Sequence, residues 1–368
     1  MRALVRTLTR WTTFVPLGAI LLLGLALVLG LKDPVTLTIA LLMLSASVMA
    51  SVHHAEVVAH KVGEPFGSLI LAVAVTVIEV GLIVTLMSGG KPGTETLARD
   101  TVFAAAMITC NLIVGLALFV ATQHKPGGIA RFNADGAVAA LATVLVLAVL
   151  TMVLPSLTTS APGPQFTGLQ LGFAAVASLT LYALFVTTQT VRHRNFFLPV
   201  DEKGAPLETD EAAEPPSGTE TVVSLLLLLV ALASVVGLSK VATPAIEASV
   251  ELAGLPESFV GVIIALLVLA PETLAAVKAA RRGEMQISLN LAYGSAIASI
   301  GLTIPAIAIT TLWNPMTLML GLDPLGMALL VLTGVVSTLT VVRGRATRQQ
   351  AGLHLVLAAA FIFLAANP

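Results

Sequence analysis

Two glutamates stand where a carboxylate is costly. Glu79 lies in the apolar run AVAVTVIEVGLIV, and Glu272 lies in LLVLAPETLAAV. At membrane depth an ionised acid costs at least ~2.5–3.5 kcal/mol, which makes each a functional candidate. Oxygen-bearing side chains lie close in sequence: Thr76 one turn before Glu79, Thr273 beside Glu272, and Asn111, Ser295 and Ser299 in neighbouring apolar stretches. Two carboxylates with hydroxyl, amide and carbonyl oxygens suit Ca²⁺, which takes about 6–8 such ligands at flexible geometry, whereas Mg²⁺ gives up its water reluctantly. No Cys or His falls beside the pair at that depth, which argues against a soft transition-metal site. The rival reading for either acid is a protonated glutamate in a helix–helix hydrogen bond.

That rival weakens because the two contexts match. From residue 64 the chain reads EPFGSLILAVAVTVIEV, and from residue 257 it reads ESFVGVIIALLVLAPET. Glu64 aligns with Glu257, Phe66 with Phe259, Ala72 with Ala265 and Glu79 with Glu272, without a gap. Upstream, Ala55-Glu56 resembles Val250-Glu251; downstream, AMITCN (106–111) corresponds to GSAIAS (294–299). Helix breakers gather at the same points: Pro271 before Glu272, Gly81 after Glu79, and Gly294 and Pro305 further on. Proline removes a backbone donor and frees a carbonyl one turn earlier. Carbonyls near Leu267 and Val268 would thereby become available to a cation, at a depth where freed backbone is tolerated only if buried or lining a cavity.

The elements that must position these residues follow from composition. Of 368 residues 57% are apolar and 11% charged, less than half the charged share of an ordinary soluble domain, and the mean hydropathy is +0.98. The net charge of −1 leaves no basic footprint for nucleic acid. The single cysteine, Cys110, excludes an intrachain disulfide and reads as a buried thiol. The sequence predicts an all-α polytopic membrane protein. Apolar runs of bilayer length fall at 12–31, 34–54, 66–88, 101–123, 136–155, 166–190, 220–241, 258–278, 287–311, 325–342 and 350–366. The first is too long for a signal h-region and is read as a retained helix. With the N-terminus cytoplasmic, fifteen of the nineteen Lys and Arg residues fall in inner loops, which sets the N-terminus inside and the C-terminus outside.

The predicted organisation is an N-terminal helix (1–32), a first repeat of spans two to six (33–195), an acidic cytoplasmic loop (196–219) and a second repeat of spans seven to eleven (220–368). An odd number of spans per repeat inverts the second copy. Inverted repeats with substrate near the midplane are an architecture of secondary transporters, and an antiparallel pair of spans three and eight would bring Glu79 and Glu272 together. Empty and ionised, such a site carries two negative charges and resists occlusion. One Ca²⁺ neutralises it, and so do two protons, so only exchange of one for the other proceeds easily. Sodium with one proton satisfies the same rule, and the acids should titrate as a unit.

The segments HHAEVVAHKVGEPFGSLILAVAVTVIEVGLI and GVIIALLVLAPETLAAVKAARRGEMQISLNLAYGSAIASIGLTIPAIAI resemble the two α-repeats of the cation/calcium exchanger superfamily, and within it the bacterial calcium/cation:proton antiporters of the ChaA type. The resemblance covers most of the chain and is specific in the two repeats. It implies a transporter rather than an enzyme, without cofactor, in a bacterial inner membrane, whose partners are the lipid bilayer, inorganic cations and protons. It implies that Glu79 and Glu272 bind cation or protons, and it sets Asn111, Gly294 and Ser295 on the family's Asn and Gly-Ser positions. The chain departs from the family pattern where Thr76 and Leu269 replace an asparagine before each acid and Met107 replaces a serine. These losses bear on the choice among Ca²⁺, Na⁺ and K⁺.

His53, His54, Glu56, His60 and Glu64 cluster at the inner end of span two, with His53, Glu56 and His60 on one helical face. Three readings stand: a cation entrance or pH sensor, a capping and headgroup role, and a zinc site. The resemblance sets Glu56 and Glu251 on acids recurring before each repeat, and Glu64 and Glu257 open the aligned segments. A membrane-embedded hydrolase would need three ligands on one metal and leaves the twin acids unexplained. A passive channel fits two proton-exchanging acids less well than alternating access does.

Overall fold

A computed structural model describes residues 10–30, 33–63, 66–87, 94–124, 126–200, 216–313 and 317–368. The chain is an all-α polytopic membrane protein. Among the described residues ten helical stretches are long and apolar enough to cross a bilayer, or eleven with the bent pair Phe259–Val268 and Ala270–Arg281 counted as one span. The acidic stretch 201–215 and Glu64 lie outside the described residues.

The helices group into two compact units, 1–94 with 212–268, and 95–211 with 269–368. These units cut across the two sequence halves, each drawing spans from both. The first holds α1 (Trp11–Leu29), α2 (Pro34–Val62), α3 (Phe66–Met87), α9 (Gly218–Leu252) and α10 (Phe259–Val268). Helix α9 packs against α1, α2 and α3, and α10 against α3. At 35 residues α9 is about 50 Å long, well beyond the ~30 Å hydrocarbon core. Both α2 and α9 outrun the predicted spans. Hydropathy ends each near the membrane surface, but nothing breaks α2 before Gly63, where φ is 76°, and α9 continues through Pro244 to Leu252. Helix α2 starts where Asp33 accepts from the Thr36 amide at 3.0 Å and Pro34 supplies the first turn, an N-cap with a preset φ behind it.

The second unit holds α4 (Leu97–Met107), α5 (Val114–His124), α6 (Ala134–Ala148), α7 (Leu154–Leu157), α8 (Gly168–Thr187), α11 (Ala270–Arg281), α12 (Met285–Ala298), α13 (Ile304–Thr310), α14 (Pro324–Val341) and α15 (Arg348–Ala366). An antiparallel ribbon of β1 (Ile129–Arg131) and β2 (Arg345–Thr347) ties two loops. No strand is expected from the sequence, since three residues are too few to show a period. Four π-helical segments lie within spans here, including Ile108–Ile113 between α4 and α5 and Ser299–Thr303 between α12 and α13.

Candidate functional site

Glu79 sits inside α3 and is 3% exposed. The expectation that Gly81 breaks this span is overturned, because α3 runs unbroken from Phe66 to Met87. Gly81 serves close approach instead: a Cβ there would meet Val236 Cγ2 at 2.5 Å. Thr76 donates its hydroxyl proton to the Ala72 carbonyl at 2.8 Å, which leaves the hydroxyl its lone pairs as acceptors.

Around Glu272 the break is real. Helix α10 ends at Val268, Leu269 leaves helical geometry (φ −87°, ψ 0°) and α11 begins at Ala270 with Pro271 in its first turn. The two pieces are bent by 53°. Pro271 has no N–H for the Leu267 carbonyl, so the sequence-predicted kink becomes a full restart. Glu272 is thereby carried into the first turn of α11, 9% exposed. The positive end of the helix dipole faces negative charge there, an interaction of about 0.3–2 kcal/mol. Thr273 reaches the Leu269 carbonyl with both its amide, at 2.9 Å, and its hydroxyl, at 2.7 Å. Helix α11 packs against α12, α5 and the 108–113 segment, and Ser288 Oγ donates to the Ala276 carbonyl at 2.7 Å across the α11–α12 pair.

The stretches 106–111 and 294–299, aligned in the sequence, each meet a π-helical segment. Asn111 lies in the π-helical segment 108–113 and Ser299 opens the segment 299–303. Segment 108–113 packs on α12, and segment 299–303 packs on α4. One extra residue per turn shifts side chains around the helix, and such bulges recur at functional sites. Pro305 follows the second segment and lacks the N–H that its turn would use. Gly294 does not interrupt α12, which is regular to Ala298. A Cβ at Gly294 would meet nothing within 4 Å, and Gly294 and Ser295 are half-buried beside that space.

Thr333 and His354 carried no sequence signal beyond being polar residues in apolar spans. Asn111 donates through Nδ2 to Thr333 Oγ1 at 3.0 Å. His354, fully buried on α15, holds Thr340 at 3.1 Å through Nε2. Cys110 is a free, buried thiol, as the sequence predicts.

The histidine cluster resolves differently from its spacing. His54 is fully buried and its Nε2 lies 2.9 Å from the Thr12 carbonyl, anchoring α1 to α2. His53 is half-buried, while Glu56 and His60 are exposed. Among the described residues no three His, Cys, Asp or Glu side chains converge as metal ligands, so His53, Glu56 and His60 do not make the zinc site that their spacing allows. One face of a helix is not convergence, since successive turns stand about 5.4 Å apart along the axis. Glu251 and Glu257 are exposed, at the end of α9 and just ahead of α10.

Among the described residues, ten helical stretches of membrane-crossing length, a bent helix pair and two buried glutamates make the frame of a multi-span membrane protein. The sodium/calcium exchanger protein family matches residues 32–191 and 223–366, and the chain belongs to that family. It is 40% identical to the ionic transporter y4hA of Sinorhizobium fredii (strain NBRC 101917 / NGR234), over 97% of this chain and 96% of that protein. It is 31% identical to the sodium-potassium/proton antiporter ChaA of Escherichia coli (strain K12), over 88% and 87%. Among solved structures, the H⁺/Ca²⁺ exchanger CAX superposes with a TM-score of 0.66 at 15% identity, over 96% of this chain and 93% of that one.

Proposed function

We propose that the protein is a cation:proton antiporter in which Glu79 and Glu272 bind one Ca²⁺ or two protons in competition. The observation that carries this reading is the placement of Glu272, buried in the first turn of a helix that restarts inside a span. A carboxylate kept at such a point can neutralise either cargo, and the broken backbone beside it offers carbonyls in place of the hydration shell. Thr76, Asn111, Pro271, Thr273, Gly294, Ser295 and Ser299 form the supporting set. Thr76 and Thr273 give lone pairs with their protons already committed to backbone, Pro271 frees the Leu267 carbonyl, and Gly294 leaves room. With both acids ionised, the uncompensated charge blocks the change between inward- and outward-facing states; binding of either cargo removes the block. We further propose a bacterial inner-membrane location with the N-terminus inside, from the distribution of basic residues, and His53, Glu56, His60, Glu64, Glu251 and Glu257 as groups that gather cations at the two entrances.

A second reading, Na⁺ or K⁺ exchanged for protons at the same site, is favoured by the 31% identity to a sodium-potassium/proton antiporter. It also accords with Thr76 and Leu269 standing where the family carries amides. Purified protein reconstituted into liposomes with an imposed pH gradient discriminates the two. Uptake of Ca²⁺ driven by the gradient supports the first reading, and uptake of Na⁺ or K⁺ without Ca²⁺ supports the second. No gradient-driven uptake of any of the three refutes antiport.

A further inference from the structure

Met107, Asn111 and Thr333 meet inside the second unit, all buried. Asn111 Nδ2 donates to Thr333 Oγ1 at 3.0 Å, and Thr333 Oγ1 donates to Met107 Sδ at 3.5 Å. A threonine hydroxyl owns one proton. With that proton on the thioether, its lone pairs receive the amide N–H, which fixes the nitrogen end of Asn111 toward α14. Oδ1 is then the end turned away, and it is buried with no hydrogen-bond partner in the described protein. A buried acceptor without a donor is destabilising and calls for another ligand. The 108–113 segment that carries it packs on α11 and α12, the helices of Glu272 and Ser295, and a cation held by Glu272 would supply the ligand that this oxygen lacks.

Resting on the antiport reading, we propose that Thr333, together with Met107, is a positioning residue of the cation site: it holds the Asn111 amide so that Oδ1 rather than Nδ2 meets the ion. Met107 stands where the family has a serine, so this chain replaces one polar group by a sulfur acceptor that sets the polarity of its neighbour. With the sulfur gone, the Thr333 proton is free to turn to Oδ1 and the amide can present its nitrogen. Orientation of this one amide therefore sets how well the site takes a cation, independently of how fast the transporter cycles.

The test uses the full chain in liposomes, with proton movement followed against increasing Ca²⁺ and, in parallel, Na⁺. Thr333→Val keeps the shape and removes the hydroxyl. The half-saturating concentration of the transported cation should rise about three- to tenfold, the change that loss of one buried hydrogen bond produces, with the maximal rate within about twofold. Thr333→Ser retains the hydroxyl and should restore the wild-type value. On an Asn111→Ala background Thr333→Val should add nothing. Should Thr333→Val fail to fold, Met107→Leu replaces it and should raise half-saturation in the same direction. An unchanged half-saturation in the folded variant, an equal shift with Ser, or a full additive shift on Asn111→Ala would each overturn the proposal. Glu272→Gln run alongside separates the two levels: proton movement that survives it removes the antiport reading itself.

Discussion

Gly81 offers a sharp perturbation close to the candidate site. It stands two residues after Glu79 on α3, and a Cβ there would lie 2.5 Å from Val236 Cγ2 on α9. Non-bonded carbons settle at about 3.5–4.0 Å, so the Gly81→Ala variant must open a gap of about 1 Å. Val236 cannot turn aside cheaply, because a helical valine holds one χ1 rotamer about 90% of the time. The expected cost is about 1–3 kcal/mol of overpacking. If α3 moves instead, Glu79 moves with it, and a displacement of about 1 Å at a reacting group can cost about a hundredfold in rate. Gly81→Ala should therefore lower both the melting temperature in detergent and cation-driven proton movement. Val236→Ala removes the Cγ2 methyl that the new Cβ would strike and should recover most of both in the double variant. Wild-type stability and transport in Gly81→Ala, or no recovery in the double variant, would refute the packing argument.

Three further outcomes follow. Pro271→Ala returns an N–H to the Leu267 carbonyl and lets α10 run on toward α11, so the apparent cation affinity should fall by about tenfold or more with undiminished thermal stability; a gain in affinity on cation titration would contradict the role of the break. His54→Leu removes the ring that meets the Thr12 carbonyl at 2.9 Å and should cost about 1–3 kcal/mol through the unpaired acceptor, seen as faster proteolysis between α1 and α2 while transport in the intact chain persists. Asp33 is held below its ordinary value of 3.8 by the Thr36 hydroxyl and amide. Its contribution to α2 is thus present above that value and lost as pH falls through the lowered one, and Asp33→Asn should flatten that acid limb in a melting series.

Much of this architecture is legible from residue order. Spans announce themselves because a run of about twenty apolar residues suits a bilayer, and Glu79 and Glu272 stand out because a carboxylate inside such a run is costly. Pro271 marks the neighbourhood of the break, but its place at Leu269 depends on Ala270–Pro271 opening a new helix rather than kinking the old one. Gly81 is ambiguous in sequence: glycine breaks a helix or admits a neighbour, and only packing against Val236 decides which. The π-helical segments at 108–113 and 299–303 have no local spacing signature, since their extra residue is set by what the helix packs on. Thr333 and His54 likewise act through partners 222 and 42 residues away, which no periodicity exposes. The division of the chain into two units that mix both halves arises from long-range packing and lies equally beyond a linear reading.

The most direct test of the twin-carboxylate mechanism is proton movement in inverted membrane vesicles on addition of Ca²⁺, Na⁺ or K⁺, for wild type, Glu79→Gln and Glu272→Gln. Cation-driven proton release in wild type, abolished by either substitution in protein that still melts cooperatively, is the result this mechanism requires. Release that persists in both variants would contradict it.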